Sequence, residues 1–193
     1  MAMQLPVDRL TESPTSFEFE GDETWWRSVS GGRDLPGELP EPLRFSLRAH
    51  CIGEDLYVEG KASGDLVLEC ARCLARYRQA LSETFRLVLE PAGFRVPADP
   101  EGALALQRDG LRLGEEIDTG WFQGQHPDLA AFFHEMVALA LPVKPLCREE
   151  CAGLCPHCGV DRSESSCECR EIEIQSPFAV LRTLREGRNE GDG

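Results

Sequence analysis

The sequence predicts an α+β protein, an antiparallel β-meander with one covering helix and a cysteine-rich C-terminal module. Three observations predict it. Apolar residues alternate at period two between Leu43 and Leu89, as strands with one buried face do. They recur at helical spacing from Leu129 to Ala140, as on a helix laid along a core. Eight of the nine cysteines then form four close pairs, Cys70/Cys73, Cys147/Cys151, Cys155/Cys158 and Cys167/Cys169, which is metal-ligand spacing.

The elements follow in order, and they divide the chain at residues 1–42, 43–146 and 147–193. In the first segment Phe17-Glu18-Phe19-Glu20 alternates and reads as an edge strand. Trp25-Trp26 and the Gly, Pro and Glu residues after it read as loop. From Leu43, one face carries Phe45, Leu47, Ala49 and Cys51, and after a turn at 52–55 another carries Leu56, Val58, Gly60 and Ala62. Asp65 to Glu69 reads as a third strand ending at Cys70. A fourth runs from about Arg76 to Leu89, with CARC at the hairpin turn between them. Pro91 to Gln125 is punctuated by prolines and glycines, so a mobile loop with a short helix or strand is expected. Asp128 is placed to cap a helix carrying Leu129, Phe132, Phe133, Met136, Val137 and Ala140, stopped by Pro142. Its aromatic and Met stripe reads as core. A last short helix starts with Ser176 as cap and Pro177 at its first position.

Cysteine number and spacing dominate the chemistry. Two pairs close one tetrahedral thiolate site, so four pairs make two, and structural zinc is the expected metal, the C-terminal one in a zinc knuckle. Disulfides would need an oxidising compartment. The N-terminal MAMQLPVDRLTESPTSFEFEG has no apolar run of signal-peptide length, and no stretch approaches a membrane span, so a cytoplasmic chain with reduced cysteines is expected. Only Cys51 is left over. CPHC at 155–158 also occurs in thiol-disulfide oxidoreductases, where the first thiolate sits at a helix N-terminus. Here Gly153 and Gly159 flank it and no helical pattern follows, so metal binding is favoured. His134-Glu135 lacks a second histidine at position 138, which is alanine, and His50, His126 and His157 are isolated or solvent-facing. No catalytic constellation stands out, and a non-enzymatic protein is expected.

The net charge of −14 opposes unaided binding to nucleic acid. Arg72, Arg76 and Arg78 cluster near the first CxxC, and Arg182, Arg185 and Arg188 near the C-terminus. In so acidic a chain they read as solvated side chains rather than as an RNA patch.

Three blocks in this order resemble the YceD-like family of bacterial proteins required for accumulation of large-subunit ribosomal RNA: GDLVLECARCL at 64–74, ALALPVKPLCREECAGLCPHCGVD at 138–161, and SPFAVLRTL at 176–184. The resemblance implies a role in ribosome biogenesis and supplies no catalytic residues. Together with ligand arithmetic it suggests that Cys70, Cys73, Cys147 and Cys151 form one site, tying hairpin to helix end, while Cys155, Cys158, Cys167 and Cys169 form a self-contained knuckle. The other arrangement keeps the metal within the six C-terminal cysteines and leaves Cys70/Cys73 free or redox-active. The expected function is assistance to large-subunit assembly through a basic ribosomal protein or assembly factor, with a weak ribosomal RNA contact and no membrane. The alternative is a thiol-disulfide redox protein using a CxxC pair.

Overall fold

The computed structural model describes residues 3–29, 37–114 and 118–169. It divides into two compact units, Met1–Cys151 and Ala152–Gly193. The first holds a six-stranded sheet of order β1-β2-β3-β4-β6-β5. Its strands are β1 (Thr15–Gly21), β2 (Leu43–Ile52), β3 (Asp55–Glu69), β4 (Arg76–Pro91), β5 (Leu111–Leu113) and β6 (Thr119–Phe122). Three helices accompany them, α1 (Glu23–Val29), α2 (Pro100–Asp109) and α3 (Ala130–Ala140).

The first four strands form an antiparallel meander, because period-two alternation leaves one face of each apolar. β1 is the edge strand. The turn between β2 and β3 is Gly53-Glu54, with Gly53 at φ 64°. In one respect the strands differ from the sequence reading, which split residues 56–69 in two. They form one strand of 15 residues. Gly64 has no side chain where Leu43 packs; a Cβ there would lie 2.5 Å from Leu43 Cδ2.

The sheet as a whole is mixed, which corrects the antiparallel expectation. β6 runs parallel to β4, Val88 facing Thr119 and Pro91 facing Phe122. A parallel return needs a crossover of a dozen or more residues, and the proline-punctuated segment supplies it. Pro100 is not a loop marker there; it opens α2, with Asp99 accepting from Gly102 N–H. α2 ends at Gly110, whose φ of 66° gives the left-handed cap.

Trp25-Trp26, read as loop, lies in α1. Asp22 Oδ1 accepts from Trp25 N–H at 2.8 Å, an N-cap contact. Both tryptophans are buried. α3 covers the sheet as its stripe predicts, with Phe132, Phe133, Met136 and Val137 buried. Phe133 stacks on Phe45 at 4.2 Å between ring centroids, and Trp25 meets Phe45 edge-on at 5.5 Å. Asp128 lies one position before the cap, which is Leu129, yet its carboxylate accepts from both Ala130 N–H and Met3 N–H. Pro142 follows the helix end. The helix expected from Ser176, and the arginines at 182, 185 and 188, lie outside the described residues. Among the described residues no helix is long and apolar enough to cross a membrane.

His134 packs half-buried against the edge of this core. Its ring lies 5.0 Å from Trp26 and 6.1 Å from Trp25, and Nε2 is buried with no hydrogen-bond partner. Burial holds its pKa below the ordinary value of 6.5. The folded chain therefore binds this proton less readily than the unfolded chain, so stability is full above about pH 6.5 and declines as pH falls. Denaturant titrations between pH 7.5 and 5 should show that decline, and His134→Phe should flatten it; an unchanged slope in the variant would assign the loss to other groups.

Candidate metal centres

The first group of cysteines is assembled by backbone hydrogen bonds. Cys70 follows directly on β3, its N–H donating to Ala75 C=O at 2.9 Å, while Leu74 N–H returns to Cys70 C=O at 2.9 Å. This tight turn directs Cys70 and Cys73 to one point, and Arg72 N–H reaches Cys70 Sγ at 3.5 Å. Ala71 N–H then binds Pro145 C=O at 2.8 Å, bringing the segment after α3 alongside. Arg72 Nη1 donates to Cys151 C=O at 2.6 Å and holds the far end.

The result is four sulfurs, from Cys70, Cys73, Cys147 and Cys151, all within 4.8 Å of one another. Cys70 Sγ lies 3.8 Å from Cys151 Sγ, and Cys73 Sγ lies 3.7 Å from Cys147 Sγ. Four thiolates bound tetrahedrally to zinc at about 2.3 Å have edges of about 3.8 Å. The set therefore fits such an ion in both donor type and spacing. Cys70, Cys73 and Cys151 are buried and Cys147 half-buried.

The second group, Cys155, Cys158, Cys167 and Cys169, meets the same 4.8 Å criterion within the second unit. Its turn repeats the first. Cys155 N–H donates to Val160 C=O at 2.8 Å and Gly159 N–H to Cys155 C=O at 2.9 Å. Gly159 takes φ 74°, and the matching residue in the first turn is Leu74 at φ 61°, the one non-glycine with positive φ among the described residues. A branched side chain there costs about 1–2 kcal/mol. Asp161 Oδ1 accepts from Ser163 N–H, and Ser163 Oγ from Ala152 N–H, closing the loop that carries the knuckle. Cys158 and Cys169 are exposed.

The electrostatics are those of crowded thiols. Burial opposes ionisation of Cys70, but the N–H groups of Cys147, Cys73 and Arg72 overcome it and bring the thiol down to about 6. Ala75 N–H favours the Cys73 thiolate, yet burial and the neighbouring sulfurs outweigh it and push Cys73 up to about 12. Burial raises Cys147. The N–H groups of Cys158 and His157 lower Cys155 to about 6, whereas the Cys158 sulfur and burial push Cys169 up to about 12, and the Cys155 sulfur raises Cys167. One sulfur in each group ionises readily and loads its neighbours with protons. A divalent ion would resolve that conflict by binding all four as thiolates and displacing their protons.

Sequence reasoning missed two supporting residues. Tyr77 looks like any strand residue, yet its hydroxyl is buried without a partner, and burial and then the Cys70 charge push the phenol up. Arg72 looks like part of a basic patch, but its guanidinium holds the Cys151 carbonyl. The other two arginines of that cluster face acids, Arg76 pairing with Glu38 and Arg78 lying 3.6 Å from Asp65. Cys51 is half-buried against the core. His50 stacks on Tyr57, His126 lies 3.7 Å from Asp8, and His157 is exposed at its turn.

Two outcomes follow from this geometry. At neutral pH Cys73 and Cys147 in one group, and Cys167 and Cys169 in the other, still carry protons, so loading zinc should release at least two protons per site. Apparent affinity should fall as pH drops, more steeply below about 6, where Cys70 and Cys155 also take up protons. Calorimetry in buffers of different ionisation enthalpy measures the release, and none would contradict thiolate ligation. The second outcome concerns the division into units. Cys155→Ser should remove one metal while leaving the β signal and the first site's metal unchanged, as read by elemental analysis and far-UV circular dichroism; loss of both metals together would make the two groups one cooperative unit.

A family model, described as large ribosomal RNA subunit accumulation protein YceD, matches residues 58–185. Uncharacterized proteins of Mycobacterium tuberculosis and Mycobacterium bovis are 34% identical over 122 residues, covering 61% of this chain and 50% of theirs. A protein of Arabidopsis thaliana, named large ribosomal RNA subunit accumulation protein YCED homolog 1, chloroplastic, is 21% identical over 171 residues, covering 79% of this chain and 51% of its own. The Zea mays protein of the same name is 24% identical over 164 residues, covering 76% and 55%. The chain thus spans about half the length of the curated relatives it matches. No solved structure matches it. The family match takes in more than half of the chain and all eight paired cysteines, and the chain belongs to the YceD family of large ribosomal RNA subunit accumulation proteins.

Proposed function

We propose that this chain is a non-enzymatic ribosome biogenesis factor of the cytoplasm. It supports accumulation of large-subunit ribosomal RNA by engaging a basic ribosomal protein or assembly factor, and its two cysteine groups hold structural zinc. The net charge of −14 carries the choice of partner. An acidic field of that size speeds encounter with a basic protein and repels free RNA. The three arginines near Cys73 support the same reading, because one is committed to the Cys151 carbonyl and two face carboxylates.

Four thiolates per site suit zinc, a metal that needs no redox role to be useful here. Each site would contribute its binding energy to folding. The redox alternative asks for a thiolate at a helix N-terminus, and CPHC lies instead in a turn, with three further sulfurs around Cys155. Thiol titration with and without zinc separates the two readings, since a redox pair stays fast-reacting in the metal-loaded native state.

Affinity-purified full chain, incubated with immature large-subunit particles at physiological salt, should retain a basic protein. Its binding to protein-free ribosomal RNA should be weak and steeply salt-dependent. Tight, specific binding to that naked RNA at physiological salt would overturn the protein-partner mechanism.

A further inference from the structure

β1 ends the sheet with one side unpaired: it bonds β2, and no described residue forms a ladder on its other side. An open edge is a template for another strand. Its side chains define what that strand must carry. Ser16, Glu18 and Glu20 are exposed on one face, and Phe17 and Phe19 are half-buried on the other. The strand itself carries no cation.

On the inner face, Phe17 continues a row through Leu47 and Gly60 to Phe85. Gly60 leaves this row thin, since a Cβ there would come within 2.7 Å of both Leu47 Cβ and Phe85 Cζ. The row borders an open cavity of about 1000 Å³ that also reaches Phe132 and Met136. Apolar surface therefore lies next to the open edge, where an added strand would place every second side chain.

We propose that the outer edge of β1 is the docking site for the basic partner, which adds as an extended strand alternating Lys or Arg with apolar residues. Its apolar side chains lie beside Phe17 and Phe19, and its cations lie beside Glu18 and Glu20. This rests on the basic-protein reading above and gives it a location. A second copy of this chain is the poorer occupant, because joining β1 to β1 brings the Glu18 and Glu20 carboxylates of two chains of charge −14 together.

The test uses the zinc-loaded full chain and a capped seven-residue peptide alternating lysine with valine, matched to the length of β1. A glutamate-valine peptide is the control. Saturating lysine peptide should slow amide hydrogen exchange in β1, and the glutamate peptide should not. Glu18→Lys with Glu20→Lys changes only exposed side chains; it should weaken the lysine peptide about tenfold and admit the glutamate peptide, with the melting transition unchanged as the check on folding. Unslowed β1 exchange, or equal binding of both peptides, overturns the assignment. So does a wild-type dimer that protects β1, which would identify a second copy as the occupant. The particle pull-down separates this failure from that of the function. If the double variant still retains the basic protein, the edge is wrong and the function stands; if the wild type retains none, the function itself fails.

Discussion

Four sulfurs at the turn end of the β3–β4 hairpin bring together segments that are 74 to 81 residues apart in the chain. The rest of the structure depends on that closure. β3 and β4 form the longest pairing in the sheet. Hydrogen bonds of Ala71 and Arg72 tie their turn to Pro145 and Cys151. Closing a loop of this length has an entropic cost, which a metal held by these sulfurs would offset. Leu74 fits the same account. A strained non-glycine residue persists where surrounding structure over-determines it, and Leu74 lies between a ligand-bearing turn and the first residue pair of β4. In the second knuckle Gly159 occupies the equivalent position without strain.

Much of this was legible in the residues, and the failures have physical causes. The meander was readable because its inner face is apolar at nearly every second position, and α3 because Phe132, Phe133, Met136 and Val137 line one stripe. The close spacing within each cysteine pair was readable too, since a turn of this kind is local. How the pairs combine is not local: it depends on Ala71 meeting Pro145, a contact that no spacing encodes, and ligand arithmetic pointed to it only together with the family resemblance. α1 escaped because seven residues are too few for a periodic signal and its Asp22 cap stood before a Gly- and Pro-rich stretch. The parallel β6 escaped because strands of three or four residues carry almost no pattern, and their pairing is decided by the crossover through α2.

The arginines near the first CxxC show why a charge count needs geometry. In sequence, Arg72, Arg76 and Arg78 look equivalent. In the fold Arg72 holds a carbonyl beside a buried sulfur, while Arg76 and Arg78 form exposed pairs worth little on their own. Reversing the charge at Arg72 therefore perturbs the metal-site segment as well as any surface field, and a loss of binding in that variant would not identify an RNA contact. Exposed positions remote from the cysteines, such as Glu18 and Glu20, report on recognition more cleanly.

That difference separates the two tasks within the first unit. The cysteine group lies at the end of β3 and β4, whereas β1 is held through β2 and by aromatic packing of Phe19 against Phe133 on α3. Loss of a metal from that group would therefore reach β1 only by weakening the hairpin on which β2 pairs. The local charge and shape of the edge, set by Glu18, Glu20, Phe17 and Phe19, do not involve a sulfur. In the proposed function the cysteines keep the hairpin formed through zinc while the acidic side chains stay on the surface, where a basic partner would meet them before any part of the core is involved.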